Sequence, residues 1–125
     1  MGPHKNGKFF TAQALTSIGT VNSDTVQGDA EGAEVEIQVN TAFTTAAAGT
    51  LQLALMECAT VGGSYTEVLK SKVYAVSELT KSAKEPLLRM AVPRDRLAFL
   101  RLDAIIATGA MTAGKIDAYL INRQL

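Results

Sequence analysis

Apolar residues recur at every second position in five stretches of the chain, and a period of two predicts strands rather than helices. In "AEVEIQVN" (33–40), Val35, Ile37 and Val39 alternate with Glu34, Glu36, Gln38 and Asn40. "GTLQLALME" (49–57) places Leu51, Leu53 and Leu55 on one face. "EPLLRMAVPR" (85–94) does the same with Leu88, Met90 and Val92, and its two prolines mark strand ends or a sheet edge, because proline cannot donate to a ladder. "LAFLRLDAIIA" (97–107) sets Leu100, Leu102, Ala104 and Ile106 against Phe99, Arg101, Asp103 and Ile105. "KIDAYLIN" (115–122) sets Ile116, Ala118 and Leu120 against Asp117, Tyr119 and Ile121. Leu53, Leu100 and Leu102 sit centrally in such runs and are predicted core residues.

Weaker candidates fill the gaps. "ALTSIGTV" (14–21) and "YTEVLKSKVYAV" (65–76) are rich in strand-forming residues, the second broken near Ser71. "SELTKSAKEP" (77–86) reads as one helical turn or a polar loop. Turn signals fall at Asn22-Ser23-Asp24, Gly28-Asp29, Gly62-Gly63-Ser64, Pro93-Arg94-Asp95 and Gly109. Seven or eight short strands with regular turns predict an all-β fold, an antiparallel sandwich of jelly-roll type with about eight strands. "TAAAGTLQLAL" (45–55) also aligns with "AMTAGKIDAYL" (110–120), Gly49 on Gly114, so both glycines are expected to serve the same kind of turn into a strand.

Composition fits one domain with one core: 125 residues, 47% apolar and 19% charged. Tryptophan is absent and the aromatic residues are few, so Leu, Val, Ile and Ala must fill the interior. The formal net charge of zero argues against a nucleic-acid partner. Residues 1–62 carry two lysines against six acids, and 63–125 ten basic residues against six acids. In a β-fold the two halves interleave, so this asymmetry reads as a mixed solvated surface. The single cysteine, Cys58, excludes an internal disulfide and is expected to be a small buried hydrophobe, in keeping with synthesis in a reducing cytoplasm. No apolar run of 18 residues exists, so no membrane-spanning helix is predicted, and "MGPHKNGKFF" lacks the apolar core of a signal peptide.

The stretch "ATGAMTAGKI" (107–116) has the glycine and lysine spacing of a phosphate-binding loop. That loop needs a following helix and a Ser or Thr after the lysine to hold Mg²⁺. Ile116 follows Lys115, and the period downstream is that of a strand. "TGAMTAG" is therefore expected to be a hairpin connection. His4 stands alone, with no partner for a triad or a metal shell. The acids from Asp24 to Glu36 lack the register of a calcium loop and read as a solvated turn running into an exposed strand face. No cofactor is expected, and an enzyme is not. Residues 1–10 are expected to form a flexible N-terminal arm ahead of a single domain over 11–125. The arm ends in Phe9-Phe10, which either dock on a partner or begin the first core strand.

Four patterns, in order, carry a resemblance: "FTAQALT" (10–16), "FTTAAAGTLQLAL" (43–55), "VPRDRLAFLRL" (92–102) and "ATGAMTAGKIDAYL" (107–120). Over about Phe10 to Leu120 the chain resembles the jelly-roll cement (decoration) proteins that coat the capsids of tailed bacteriophages. The resemblance implies a virion protein on the outer surface of the capsid, bridging neighbouring major capsid subunits. It implies association with itself, as a homodimer or a homotrimer, and no cofactor, nucleic acid or membrane. Within that reading the arm is expected to aid attachment and to add little to folding. Lys5 and Lys8 would meet acidic capsid surface, and Phe9 or Phe10 an apolar groove. The competing expectation is a tail or fibre β-sandwich that recognises a host glycan, for which an exposed aromatic cluster is the mark.

Overall fold

A computed structural model describes residues 4–27, 33–60, 63–80, 86–92 and 99–122. The expected turns at Gly28-Asp29 and Pro93-Arg94-Asp95 lie outside the described residues, as does Gly62. Among the described residues ten strands follow in chain order: β1 (His4–Ala14), β2 (Gly19–Asn22), β3 (Val26–Gln27), β4 (Ala33–Thr45), β5 (Thr50–Cys58), β6 (Thr66–Lys70), β7 (Tyr74–Ala75), β8 (Leu88–Ala91), β9 (Phe99–Ala107) and β10 (Met111–Asn122). One sheet has the order β1-β10-β4-β8; the other has β2-β9-β5-β6, with β3 also on β9 and β7 also on β5. All pairings are antiparallel.

The two orders match position by position. β4 continues into β5, β9 into β10, β1 into β2, and β7 into β8, each time crossing from one sheet to the other. The molecule is thus one antiparallel sheet, four strands wide, folded in half. If β2–β3 and β6–β7 are taken as interrupted strands, eight positions result, as the jelly-roll expectation required. Four crossings therefore begin and end at one end of the molecule: 15–18, 46–49, the β7–β8 connection through its described residues 76–80 and 86–87, and 108–110. The expected hairpin over "TGAMTAG" is corrected here. Residues 108–110 arch between sheets, and Met111–Gly114 already belongs to β10. "ALTSIGTV" is likewise split by an arch over 15–18. At the start of 77–86, expected as one helical turn or a polar loop, a short 3-10 turn covers Val76–Glu78, and residues 81–85 lie outside the described residues.

The core lies where the alternation placed it. Val35, Ile37, Leu51, Leu53, Leu55, Leu100, Leu102, Ala104, Ile116 and Ala118 are fully buried between the sheets. Burying each aliphatic side chain contributes about 1.5–3 kcal/mol, which is what holds two twisted sheets face to face.

The flexible arm is also corrected: from His4 onward it is an edge strand on β10. Eleven residues of β1 lie against eight of β10, and the surplus appears as register shifts at Lys5/Gly7, Lys8/Phe10 and Phe10/Gln13. A bulge inserts one unpaired residue and breaks the alternation of faces. Lys8 pairs with Tyr119 and Phe10 with Ala118, so Phe9 is the inserted residue. That is how two adjacent rings are both buried, with 2% and 3% of their surface exposed. The third bulge leaves Ala12 at φ 45°, and its N–H donates to Oδ1 of Asp117 at 2.6 Å instead of to the ladder. Repeated bulges also spoil β1 as a template for edge pairing with another chain.

Candidate interaction surface

Of the four residues singled out in the sequence, the structure brings none together as an exposed apolar contact. Phe9 and Phe10 are core residues. Lys8 is exposed on the outer face of the first sheet; Lys5 pairs with Ile121 in β1, and its side chain lies outside what is described. Lys8 begins a cross-strand row, Lys8–Tyr119–Glu36–Arg89, that runs over β1, β10, β4 and β8. Glu36, expected on an exposed face, is only 7% exposed. Its Oε1 accepts from Arg89 Nε at 3.0 Å and its Oε2 from Gln38 Nε2 at 2.8 Å, so the carboxylate is paired rather than free. Burial disfavours the Tyr119 phenolate and pushes its pKa above the ordinary value, and the carboxylates of Asp117 and Glu36 add to the shift. Lys115 is exposed in the middle of this sheet, with strand on both sides of it and no helix to hold phosphate.

The folded end is built differently. Thr45 closes β4, and its hydroxyl accepts from the N–H groups of Ala47 (3.2 Å) and Gly49 (3.0 Å). The same hydroxyl donates to the carbonyl of Ala110 at 2.8 Å, tying the 46–49 arch to the 108–110 arch. Thr44 and Thr112 join their hydroxyls at 2.6 Å, and the N–H of Met111 donates to the carbonyl of Thr16 at 2.9 Å. Three arches are thereby bonded side by side. Gly49 and Gly109 permit the approach: a Cβ on Gly49 would stand 2.5 Å from the Gly109 carbonyl oxygen, and one on Gly109 would stand 2.8 Å from the Ala47 carbonyl carbon.

The exposed residues of these arches are Thr16, Ser17, Ile18, Ala46, Ala47, Ala48, Thr108 and Ala110. Ile18 is 62% exposed. Two non-glycine residues in this set hold left-handed backbone, Ala48 at φ 57° and Thr108 at φ 70°. Nothing in the alternation of the strands points to this surface. The signal available in the sequence is a different one: residues 9–23, 37–56 and 104–114 contain no Asp, Glu, Lys or Arg. The topology brings those three runs to one end.

Elsewhere the surface is mixed. Arg101 bonds Asp103 at 2.8 Å and lies 4.2 Å from the ring centre of Tyr65, whose hydroxyl meets Thr25 at 2.7 Å. Lys72 pairs with Glu78, which also accepts from the N–H of Ala75, and both contacts hold the Glu78 carboxyl below its usual range. Cys58 is buried, as expected, with its thiol on the carbonyl of Thr60. Of the seven aromatic residues, Phe9, Phe10, Phe43 and Tyr74 are buried, and Tyr65, Phe99 and Tyr119 are half-buried.

The model of the Bbp16 family matches residues 6–120. No curated protein matches the chain. Among solved structures, VP2 in the subviral particle of infectious bursal disease virus is similar at 14% identity and a TM-score of 0.43, over 94% of this chain and 30% of that one. The chain thus spans about a third of the length of that protein.

Proposed function

The chain belongs to the Bbp16 family, and from that premise we propose that it is a structural virion protein, a cement protein that binds the outer shell of a tailed-phage head and bridges neighbouring major capsid subunits. The observation that carries the reading is where the four resembling segments lie. Three of them, 10–16, 43–55 and 107–120, run into the folded end and contribute to three of its four crossings. Those segments therefore share a position in the fold as well as an order in the sequence.

The role asks for no chemistry on a substrate. Pressure from packaged DNA pulls capsomers apart, and a rigid domain seated across a boundary opposes that separation. Individual contacts can be weak, because sites on one shell act together. Association of copies with each other, as dimers or trimers, belongs to the same reading and is checked by sedimentation over a range of concentrations. The function is tested on heads of the producing virus assembled with the gene deleted. Such heads should release DNA at lower temperature than wild-type heads, and added protein should restore them and appear as extra density outside the shell. Full heat resistance without the protein, or density confined to the tail, would overturn the proposal.

A further inference from the structure

We propose that the three bonded arches of the folded end, 15–18, 46–49 and 108–110, which carry no charge, are the surface that seats on the shell beside the Lys72–Glu78 pair of the fourth crossing, and that their counterpart there is an uncharged protein surface. This inference rests on the cement reading above. Phe9 and Phe10 do not supply an apolar anchor, since both are committed to the core. The arches can. Ile18, Ala46, Ala47, Ala48 and Ala110 present methyl groups beside the hydroxyls of Thr16 and Thr108, with no formal charge in 9–23, 37–56 or 104–114.

The centres of protein interfaces are depleted in charge, because each buried ion must be desolvated and paired. Phosphate-bearing partners, nucleic acid or lipid headgroups, need Lys or Arg, which these runs lack. The strain points the same way. A β-branched residue with left-handed backbone is a genuine outlier, and glycine would hold that conformation without penalty. Thr108 at φ 70° and Ala48 at φ 57° keep exposed side chains there at a cost in stability. Those side chains are where a partner would touch.

Size decides between a second copy and the shell. Three strand positions about 4.8 Å apart, across two sheets about 10 Å apart, give an end face on the order of 300 Å² with side chains included. A stable pairwise interface takes about 800 Å² from each partner. The end is too small to hold two copies together in solution but sufficient for one contact repeated over an ordered array.

The test uses full-length protein and gene-deleted heads. Ile18→Asp and Ala46→Asp, both at exposed positions, should melt within a few degrees of wild type yet lower the affinity for heads by at least about tenfold. Thr108→Gly should raise the melting temperature and still weaken binding, a combination that a purely structural role would not produce. Lys8→Glu should change affinity less than about twofold, and wild-type occupancy should be the same in 50 and 500 mM salt, values on either side of the usual range of screening. Normal binding by the Asp variants, loss of binding with Lys8→Glu, or a shift of self-association in the Asp variants would overturn the inference while leaving the cement reading intact. Wild-type protein that does not bind heads at all would overturn both.

Discussion

Gly114 occupies the middle of a strand, where glycine normally weakens pairing, and its reason is the ring of Phe43. At φ +148° a Cβ on this residue would lie 2.5 Å from Cγ and 2.6 Å from Cε2 of that ring. The ring covers the gap that the missing side chain leaves. Gly114→Ala should therefore cost about 2–5 kcal/mol, from overpacking together with backbone strain. Most of the packing part should vanish in a Phe43→Ala background, as a double-mutant cycle by chemical denaturation will show. The expected equivalence of Gly114 and Gly49 fails for this reason, since only Gly49 stands in a turn. Polar residues on the outer face carry a second prediction. Tyr119 ionises above its ordinary value because burial disfavours the phenolate and two carboxylates face it. Its unfolded form loses the proton first as pH rises, so this contribution to stability is complete below about pH 10 and falls as pH climbs beyond it. Absorbance titration of wild type and Tyr119→Phe, paired with melts from pH 8 to above pH 10, checks the sign. A melting curve for wild type that falls no more steeply than that of the phenylalanine variant would refute it.

Two serines repeat one device at opposite edges of the second sheet. The N–H of Ser23 donates to the carbonyl of Leu102, and the N–H of Leu102 donates back to Oγ of Ser23 at 2.8 Å. Ser71 does the same with Leu53, its N–H on the carbonyl and its Oγ accepting at 2.9 Å. Each serine bridges a break in an edge strand while keeping the N–H of a central strand satisfied. Ser23→Ala and Ser71→Ala should each cost about 1–3 kcal/mol, the penalty of an unpaired buried donor, and amide exchange should quicken at Leu102 and Leu53 respectively. Similar melts for alanine and wild type would show that water replaces the hydroxyl. The break near Ser71 was readable in the sequence, and so were β4, β5, β9 and most of β10, because an aliphatic at every second position has one simple solution. Leu53, Leu100 and Leu102 lie in the core as their alternation required. What alternation does not record is which sheet the next strand joins. A hairpin and an arch differ by a few backbone angles, so "TGAMTAG" could not be told from a hairpin by period. Bulges are equally silent: nothing in "KFFTAQ" says that Phe9 is an inserted residue or that Asp117 will take the N–H of Ala12. The folded end was missed because it depends on charges that are absent from three distant runs.

At the scale of the molecule, folding one sheet in half sets apart two ends with different tasks. The folded end holds the bonded arches; the other holds the turn between β5 and β6 and the paired ends of β1 and β10, since His4 and Asn122 are cross-strand partners. Directly opposed residues in antiparallel strands lie about 5 Å apart, so a short added linker from Asn122 to His4 would join β10 to β1. A circular permutant closed there should keep the sandwich if it is opened where few contacts cross. Between Gly63 and Ser64 the cut disturbs little beyond the 3.1 Å bond from Gly63 N–H to the carbonyl of Thr60, and Tyr65 stays anchored on Arg101 and Thr25. Between Ala47 and Ala48 the cut separates β4 from β5, which are central in the two sheets, and frees the N–H of Gly49 from Thr45. It also removes the short closure that makes pairing of distant strands affordable in entropy. The first permutant should melt cooperatively within several degrees of wild type and bind heads as wild type does. The second should melt far lower or fail to fold, read by circular dichroism and thermal scans. Equal stability of the two permutants would mean that the arches are ornaments on the sandwich rather than the crease that defines it.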